Sequence, residues 1–144
     1  MPLYLLKRRI SEVSGPDRLL GVFRSRDAAR RARRQYLDPI LRGDVADPWA
    51  WQAYRKNSLE RDVAIVADVP QAGVAAKAAR VFVVSSYAEG FAQIIREFEA
   101  ICATKAQADA TARRIEKRHR GGFNFYCRVD GLAVGALLPD RRDA

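Results

Sequence analysis

The densest chemistry in the chain is guanidinium. Between Arg24 and Arg34 stand six arginines (24, 26, 30, 31, 33 and 34) against one acid, Asp27, a balance of +5 within eleven residues. From Lys105 to Arg120, six bases (105, 113, 114, 117, 118 and 120) meet only Asp109 and Glu116, a balance of +4. Arginine presents a planar fork of donors that matches phosphate or carboxylate oxygens in pairs, and dense positive charge speeds encounter with polyanions. At helical spacing Arg26, Arg30, Arg33 and Arg34 lie on a face beside or opposite an Ala29/Ala32/Tyr36 stripe, which leaves them solvated. With so few acids interspersed, this first run, Arg31 included, reads as a phosphate-binding surface. In the second run Arg113, Arg114, Lys117 and Arg118 are candidates of the same kind. There Asp109 is spaced to pair with Lys105 or Arg113, and Glu116 with Arg113 or Arg120, so the run reads closer to an ordinary solubilising face.

Other chemistries find little support. The single histidine, His119, sits between Arg118 and Arg120 and reads as a surface residue. One histidine and two cysteines 25 positions apart form no zinc-ligand set, and Cys102 and Cys127 alternate with apolar neighbours as small buried hydrophobes do. A serine-hydrolase elbow and phosphate loops of the Walker or dinucleotide type are missing. Glu97 and Glu99 share a face if their segment is a strand, and read as solubilising charge. No catalytic residue, metal or cofactor is therefore expected. The aromatics Trp49, Trp51 and Tyr54, with Phe123, Phe125 and Tyr126, have the types that stack on bases, but a small sheet needs such residues for its core.

The elements that must carry these residues repeat. A shift of 79 positions aligns residues 3–37 with 82–116, although only Ala29 with Ala108 and Arg34 with Arg113 are identical. Leu3-Tyr4-Leu5-Leu6 falls on Phe82-Val83-Val84-Ser85, and the strand ending at Ser25 falls on the one ending at Thr104. Ser25 and Thr104 are the types that cap helices. Behind them, Ala29, Ala32 and Tyr36 form one helix stripe and Ala108, Ala112 and Ile115 the other. Trp49-x-Trp51 and Phe123-x-Phe125 then read as third strands. Val63 to Ala67 and Leu132 to Leu138 read as fourth strands, reached by a polar turn over 56–62 and by a tight Asp130-Gly131 hairpin. Residues 89–102 fit a loop and strand, though Ile94, Ile95, Phe98, Ile101 and Cys102 also have helical spacing.

Each unit resembles small bacterial and phage domains of unknown function. In these, a first strand, a polar loop, a Gly-Val-aromatic strand and a Ser/Thr-capped, Ala-rich helix precede a closing hairpin. Gly21-Val22-Phe23-Arg24-Ser25 with Ala28-Ala29 carries the resemblance in the first unit, and Ala100-Ile101-Cys102-Ala103-Thr104 in the second. It implies a fold and no activity.

The expected architecture is α+β, with two similar β-β-α-β-β units of antiparallel sheet related by a pseudo-twofold axis. The first unit spans 1–70 and the second 80–144, joined by a small-residue linker at 71–79 that also suits a short helix. Apolar sheet faces then bury against each other, or against a second copy in a homodimer, and the basic helices lie outermost. The chain has 49% apolar residues, a net charge of +9 and no apolar run long enough to span a bilayer, so a cytoplasmic protein is expected. Two functions fit: a non-enzymatic module binding nucleic-acid phosphates, or an interaction or inhibitor module, as in bacterial or phage conflict systems, docking on an acidic protein.

Overall fold

A computed structural model of the chain describes residues 2–10, 15–47, 56–72, 78–90, 93–119 and 124–139. Apolar residues alternate along the first strand, β1 (Tyr4–Arg8), and sort to its two faces. Leu3 and Leu5 enter one core while Leu6 and Tyr4 enter another. Strand β2 (Arg18–Phe23) pairs antiparallel with β1. Ser25 then caps α1 (Arg26–Arg42) by accepting the Ala28 N–H at 3.0 Å. The helix stops at Gly43, whose φ of 80° suits a residue without a Cβ. A short helix, α2 (Lys56–Asp62), leads into β3 (Val63–Val66), which pairs with the other side of β1. The first sheet therefore has the order β2-β1-β3, with α1 on one face.

The second unit repeats this plan on longer strands. It contains β5 (Arg80–Gly90), β6 (Gln93–Cys102), α3 (Lys105–Arg118) and β7 (Phe125–Ala133). Thr104 caps α3 by accepting the Gln107 N–H at 3.1 Å, as Ser25 does 79 positions earlier. Strand β6 makes residues 93–102 strand, with β5 running on through Gly90. A two-residue strand, β4 (Gln71–Ala72), lies parallel to the end of β6 and gives the order β4-β6-β5-β7. β4 thus takes up the first two residues of the segment 71–79.

The duplication holds, with one correction to its register. In β1–β2 Leu5 faces Val22, and in β5–β6 Val83 faces Ile101. The second strands are offset by 79 positions but the first strands by 78. The gapless shift is therefore wrong by one residue, inserted in the second unit's connection. Corrected, Leu3-Tyr4-Leu5-Leu6 overlies Val81-Phe82-Val83-Val84, a closer chemical match. Both units also break register at equivalent points, between Leu6 and Lys7 and between Val84 and Ser85.

The later strands differ more from expectation. Among the described residues Val63–Val66 pairs directly with β1 and is the third strand of its sheet. The stretch 56–62 is a helix instead of a polar turn, held by buried Leu59. Trp49, Trp51, Tyr54 and Phe123 lie outside the described residues. Asp130-Gly131 makes no hairpin, because β7 runs straight through it against β5. Asp130 is occupied by Arg96 at 3.0 Å, and Gly131 leaves room for the Phe82 ring, whose carbon would lie 3.0 Å from an added Cβ. Beyond Ala133 the chain leaves its own sheet for the other one. Gly135 and Leu138 each donate an N–H, to the carbonyls of Val22 and Leu20, at 2.8 Å.

The two sheets meet face to face. Leu3, Leu5, Leu19 and Val22 of the first unit share a core with Val81, Val83, Ile101 and Leu132 of the second, closed by Val69. Helix α1 covers the far face of the first sheet over Ala29, Ala32, Tyr36 and Leu37, and α3 covers the far face of the second over Ala108 and Ala112. The protein is thus α+β in four layers, helix–sheet–sheet–helix, with two similar units back to back.

Candidate nucleic-acid interface

Both arginine runs lie on the outermost layers, as the stripe pattern implied. At about 10 Å per layer, α1 and α3 stand roughly 30 Å apart with both sheets between them. The nine candidate cations in the two runs therefore form two surfaces, and neither can complete the other on one short ligand.

Helix α1 uses most of its guanidinium groups internally. Arg33 Nε donates to the Val63 carbonyl at 2.9 Å, and its Nη2 donates to the Glu60 carbonyl. These acceptors lie at the last turn of α2 and the first residue of β3, so Arg33 pins that junction to α1. Arg34 is bonded to Asp38 and lies 3.5 Å from Glu60 Oε1. Its pKa is held above the ordinary value by the Asp38 carboxylate first and Glu60 after it. Arg30 is 3.7 Å from Asp27, and the Arg26 guanidinium lies over the Tyr4 ring at 5.1 Å. Among the described residues only Arg31, of the five α1 candidates, is exposed with no such contact.

Helix α3 is the reverse case. Its two acids are engaged away from the candidate cations: Asp109 pairs with Lys105 at 3.0 Å, and Glu116 accepts the backbone N–H of Cys127 at 3.3 Å. Arg113, Arg114, Lys117 and Arg118 are all exposed and form no ion pair with a described residue. They occupy positions i, i+1, i+4 and i+5 in the second half of the helix, a patch about 7 Å long at 1.5 Å per residue. The macrodipole favours Lys117 and Arg118 in the last turn, but that preference does not extend to Arg113 and Arg114.

Of the candidate aromatics, the described Phe125 and Tyr126 do not form an open stacking platform. Tyr87 and Tyr126 stack on each other with centroids 5.1 Å apart, and Phe125 stacks on His119 at 4.0 Å. Tyr126 donates its hydroxyl to Glu89 at 3.0 Å, and Arg128 lies over its ring at 5.4 Å. Burial, followed by the bond to Glu89, raises the Tyr126 pKa.

Two arginines outside the basic runs carry more structural weight than any within them. Arg8 is 2% exposed and makes a fork to both Asp47 oxygens, at 2.9 and 3.1 Å, with Tyr36 Oη at 3.0 Å from Nη1. Burial opposes its charge, but the bonds to Asp47 and Tyr36 outweigh that and hold its pKa above the usual value. Arg96 lies between the Tyr87 and Phe98 rings, at 5.3 and 4.6 Å. It donates to Asp130 at 3.0 Å and to the Asp17 carbonyl of the first unit at 3.2 Å, bolting one unit to the other. Burial lowers its pKa, partly offset by Tyr87 and Asp130. Period-2 alternation held the clue to Arg96: it puts Phe98, Arg96 and Ile94 on the face that continues the inter-sheet core.

The remaining candidates for chemistry are quiet. Cys102 is buried, and desolvation raises its thiol. Cys127 is pushed up to about 11 by burial first, then by the Glu116 and Glu99 carboxylates. Glu99 itself accepts from the Ser86 hydroxyl at 2.9 Å. Among the described residues no cluster of His, Cys, Asp or Glu is arranged to hold a metal ion, and no helix is long and apolar enough to cross a membrane. The sequence matches no family model, and neither a curated protein nor a solved structure is significantly similar to it.

Proposed function

We propose that the protein is a non-enzymatic nucleic-acid-binding module whose contact surface is the exposed face of α3. One observation carries the reading. Arg113, Arg114, Lys117 and Arg118 stand unpaired on one short patch while the acids of the same helix are held elsewhere. Unpaired guanidinium and ammonium groups keep their full attraction for phosphate, whereas the α1 arginines must give up internal bonds first. Arg33 and Arg34 are accordingly supports of the fold, Arg26 rests on the Tyr4 ring, and Arg30, in an exposed pair with Asp27, and Arg31 are at most outlying contacts. On this reading the protein works in the cytoplasm as a tandem relative of the small bacterial and phage domains it resembles.

Four neutralised phosphates give a slope of about −3.6 in log affinity against log salt on a duplex, and about −2.8 on a single strand. Electrophoretic mobility shifts across a salt series measure it. Arg114→Glu with Arg118→Glu should weaken binding more than about tenfold, since two contacts are reversed in sign. Arg30→Glu with Arg31→Glu should change it by less than about threefold, as expected of charges two layers away. A slope near zero, or equal losses from the two helices, contradicts the reading. The competing identity, an acidic protein partner, predicts capture from lysate that survives nuclease treatment.

A further inference from the structure

The four α3 cations stand in two rows. Arg113 with Lys117 and Arg114 with Arg118 are each four residues apart, so the members of a row lie about 6 Å apart along the helix axis. One residue turns the helix by about 100°, which sets the rows on the two shoulders of the exposed face, about 8–9 Å apart on a helix 10–12 Å across. Ala110, three and four residues before Arg113 and Arg114, is exposed between the rows and carries no charge. The nearest acids flank this crown without entering it. On the β7 side Asp109 is held by Lys105, and Glu116 by the Cys127 N–H. On the β6 side Glu97 and Glu99 belong to the sheet beneath, where Glu99 accepts from the Ser86 hydroxyl.

Polyanions differ in how many phosphates they offer such a patch. Four cations in about 7 Å of helix are roughly one per 1.8 Å. A DNA duplex carries one charge per about 1.7 Å of its axis, and a single strand one per about 3.4 Å. A single strand laid along one row leaves the other row unmatched, whereas the two strands that wall a groove meet both. The major groove of B-form DNA, about 12 Å wide, admits a helix, but that of duplex RNA is too narrow. Single strands are held by base stacking as well, and the described Phe125 and Tyr126 are already stacked, on His119 and on Tyr87.

We propose that α3 lies in the major groove of double-stranded DNA, with Arg113 and Lys117 on the phosphates of one strand and Arg114 and Arg118 on those of the other. Ala110 then faces the base edges. The inference rests on phosphate binding by α3 and adds to it the kind of nucleic acid and the groove. Helix α1, beyond both sheets, takes no part. Phosphate contacts carry no sequence information and Ala110 offers only a methyl group, so affinity varies little from one sequence to another.

The test uses the full chain with three fluorescein-labelled probes of one sequence, a DNA duplex, its single strand and the RNA duplex, read by anisotropy across a salt series. The DNA duplex should bind at least about tenfold tighter than either of the others, with a slope of about −3.6, and the single strand should show about −1.4, the value for two contacts. Arg113→Gln with Lys117→Gln removes one row, and should halve the duplex slope to about −1.8 while the single-strand slope stays as it was. Arg114→Gln with Arg118→Gln should do the same. Guanine N7, a major-groove atom, should be protected from dimethyl sulfate when the duplex is saturated with protein. Single-strand binding as tight as duplex binding, with a slope near −2.8, overturns this inference and leaves phosphate binding by α3 intact. Equal affinity for the RNA duplex, or guanine N7 left unprotected, overturns the groove assignment in the same way. Binding to none of the probes overturns the reading beneath it as well.

Discussion

At the scale of single residues the protein separates arginines that hold the fold from arginines that face solvent, and only structure makes the distinction. Arg8 is the clearest of the first kind. Its charge is almost fully withdrawn from water and returned to Asp47 in a two-bond fork, with Tyr36 as the third partner. Asp47→Asn removes the countercharge but leaves the buried cation, which should cost about 3–5 kcal/mol. Thermal unfolding should register this as a drop of about 10 °C or more for a chain of this size. Replacing both partners, Arg8→Met with Asp47→Leu, should cost less than Asp47→Asn alone, because no charge is then stranded. Equal or greater loss in the double variant would contradict that account. None of this was legible beforehand: Arg8 and Asp47 are 39 positions apart, and charge counts carry no information about which cation finds which acid. The same blindness reversed the ranking of the two basic runs. Arg34 finds Asp38 and Glu60, beyond the window that made α1 look free of acids, while Asp109 takes Lys105, as its spacing allowed, and Glu116 turns to the Cys127 N–H, away from the α3 arginines.

At the scale of elements, local chemistry was readable and long-range pairing was not. The caps at Ser25 and Thr104, the alanine stripes and the first two strands of each unit follow from period and residue type, and these are contacts between neighbours in sequence. The break at Asp130-Gly131 and the turn at 56–62 were misread because Asp-Gly and a polar run both mimic turns. What decided otherwise was tertiary: Arg96 holding Asp130, the Phe82 ring lying against Gly131, and Leu59 anchoring α2. The crossing of 134–138 onto β2 had no local signal apart from one glycine. A Cβ on Gly21 would come within 2.9 Å of the Ala136 carbonyl and of the Phe23 ring. The equivalent position in the second unit is Ala100, where β4 approaches from the other sense. Gly21→Ala should therefore displace the crossing segment and speed amide exchange at Gly135 and Leu138 by more than about tenfold, in line with the loss of about 1–2 kcal/mol of local stability. Exchange at Ile101, bonded to Pro70 at 2.8 Å on the other sheet, should stay unchanged. Unaltered protection at Gly135 would show that the crossing does not depend on the missing side chain.

At the scale of the whole molecule, the two units are similar but are not two independent folding bodies. The central core draws on both sheets, and Arg96 adds a polar tie across the same boundary. Each unit also ends on its neighbour's sheet, 71–72 on β6 and 135–138 on β2, so cutting the chain between units removes an edge partner from both. A first unit alone, ending at residue 72, would expose Leu3, Leu5, Leu19 and Val22. At roughly 2 kcal/mol for each large side chain, their burial is worth about 8 kcal/mol, comparable with the entire stability of a small domain. Neither half should therefore give a dispersed, cooperative unfolding transition by itself. Each should either remain unfolded or associate through the exposed face, with apparent stability rising with concentration. Mixing equal amounts of residues 1–72 and 78–144 should recover native-like helix and sheet content by circular dichroism, as a 1:1 complex in sedimentation. A half that stays monomeric and melts cooperatively near the temperature of the full chain would show that the shared core contributes far less than its burial implies.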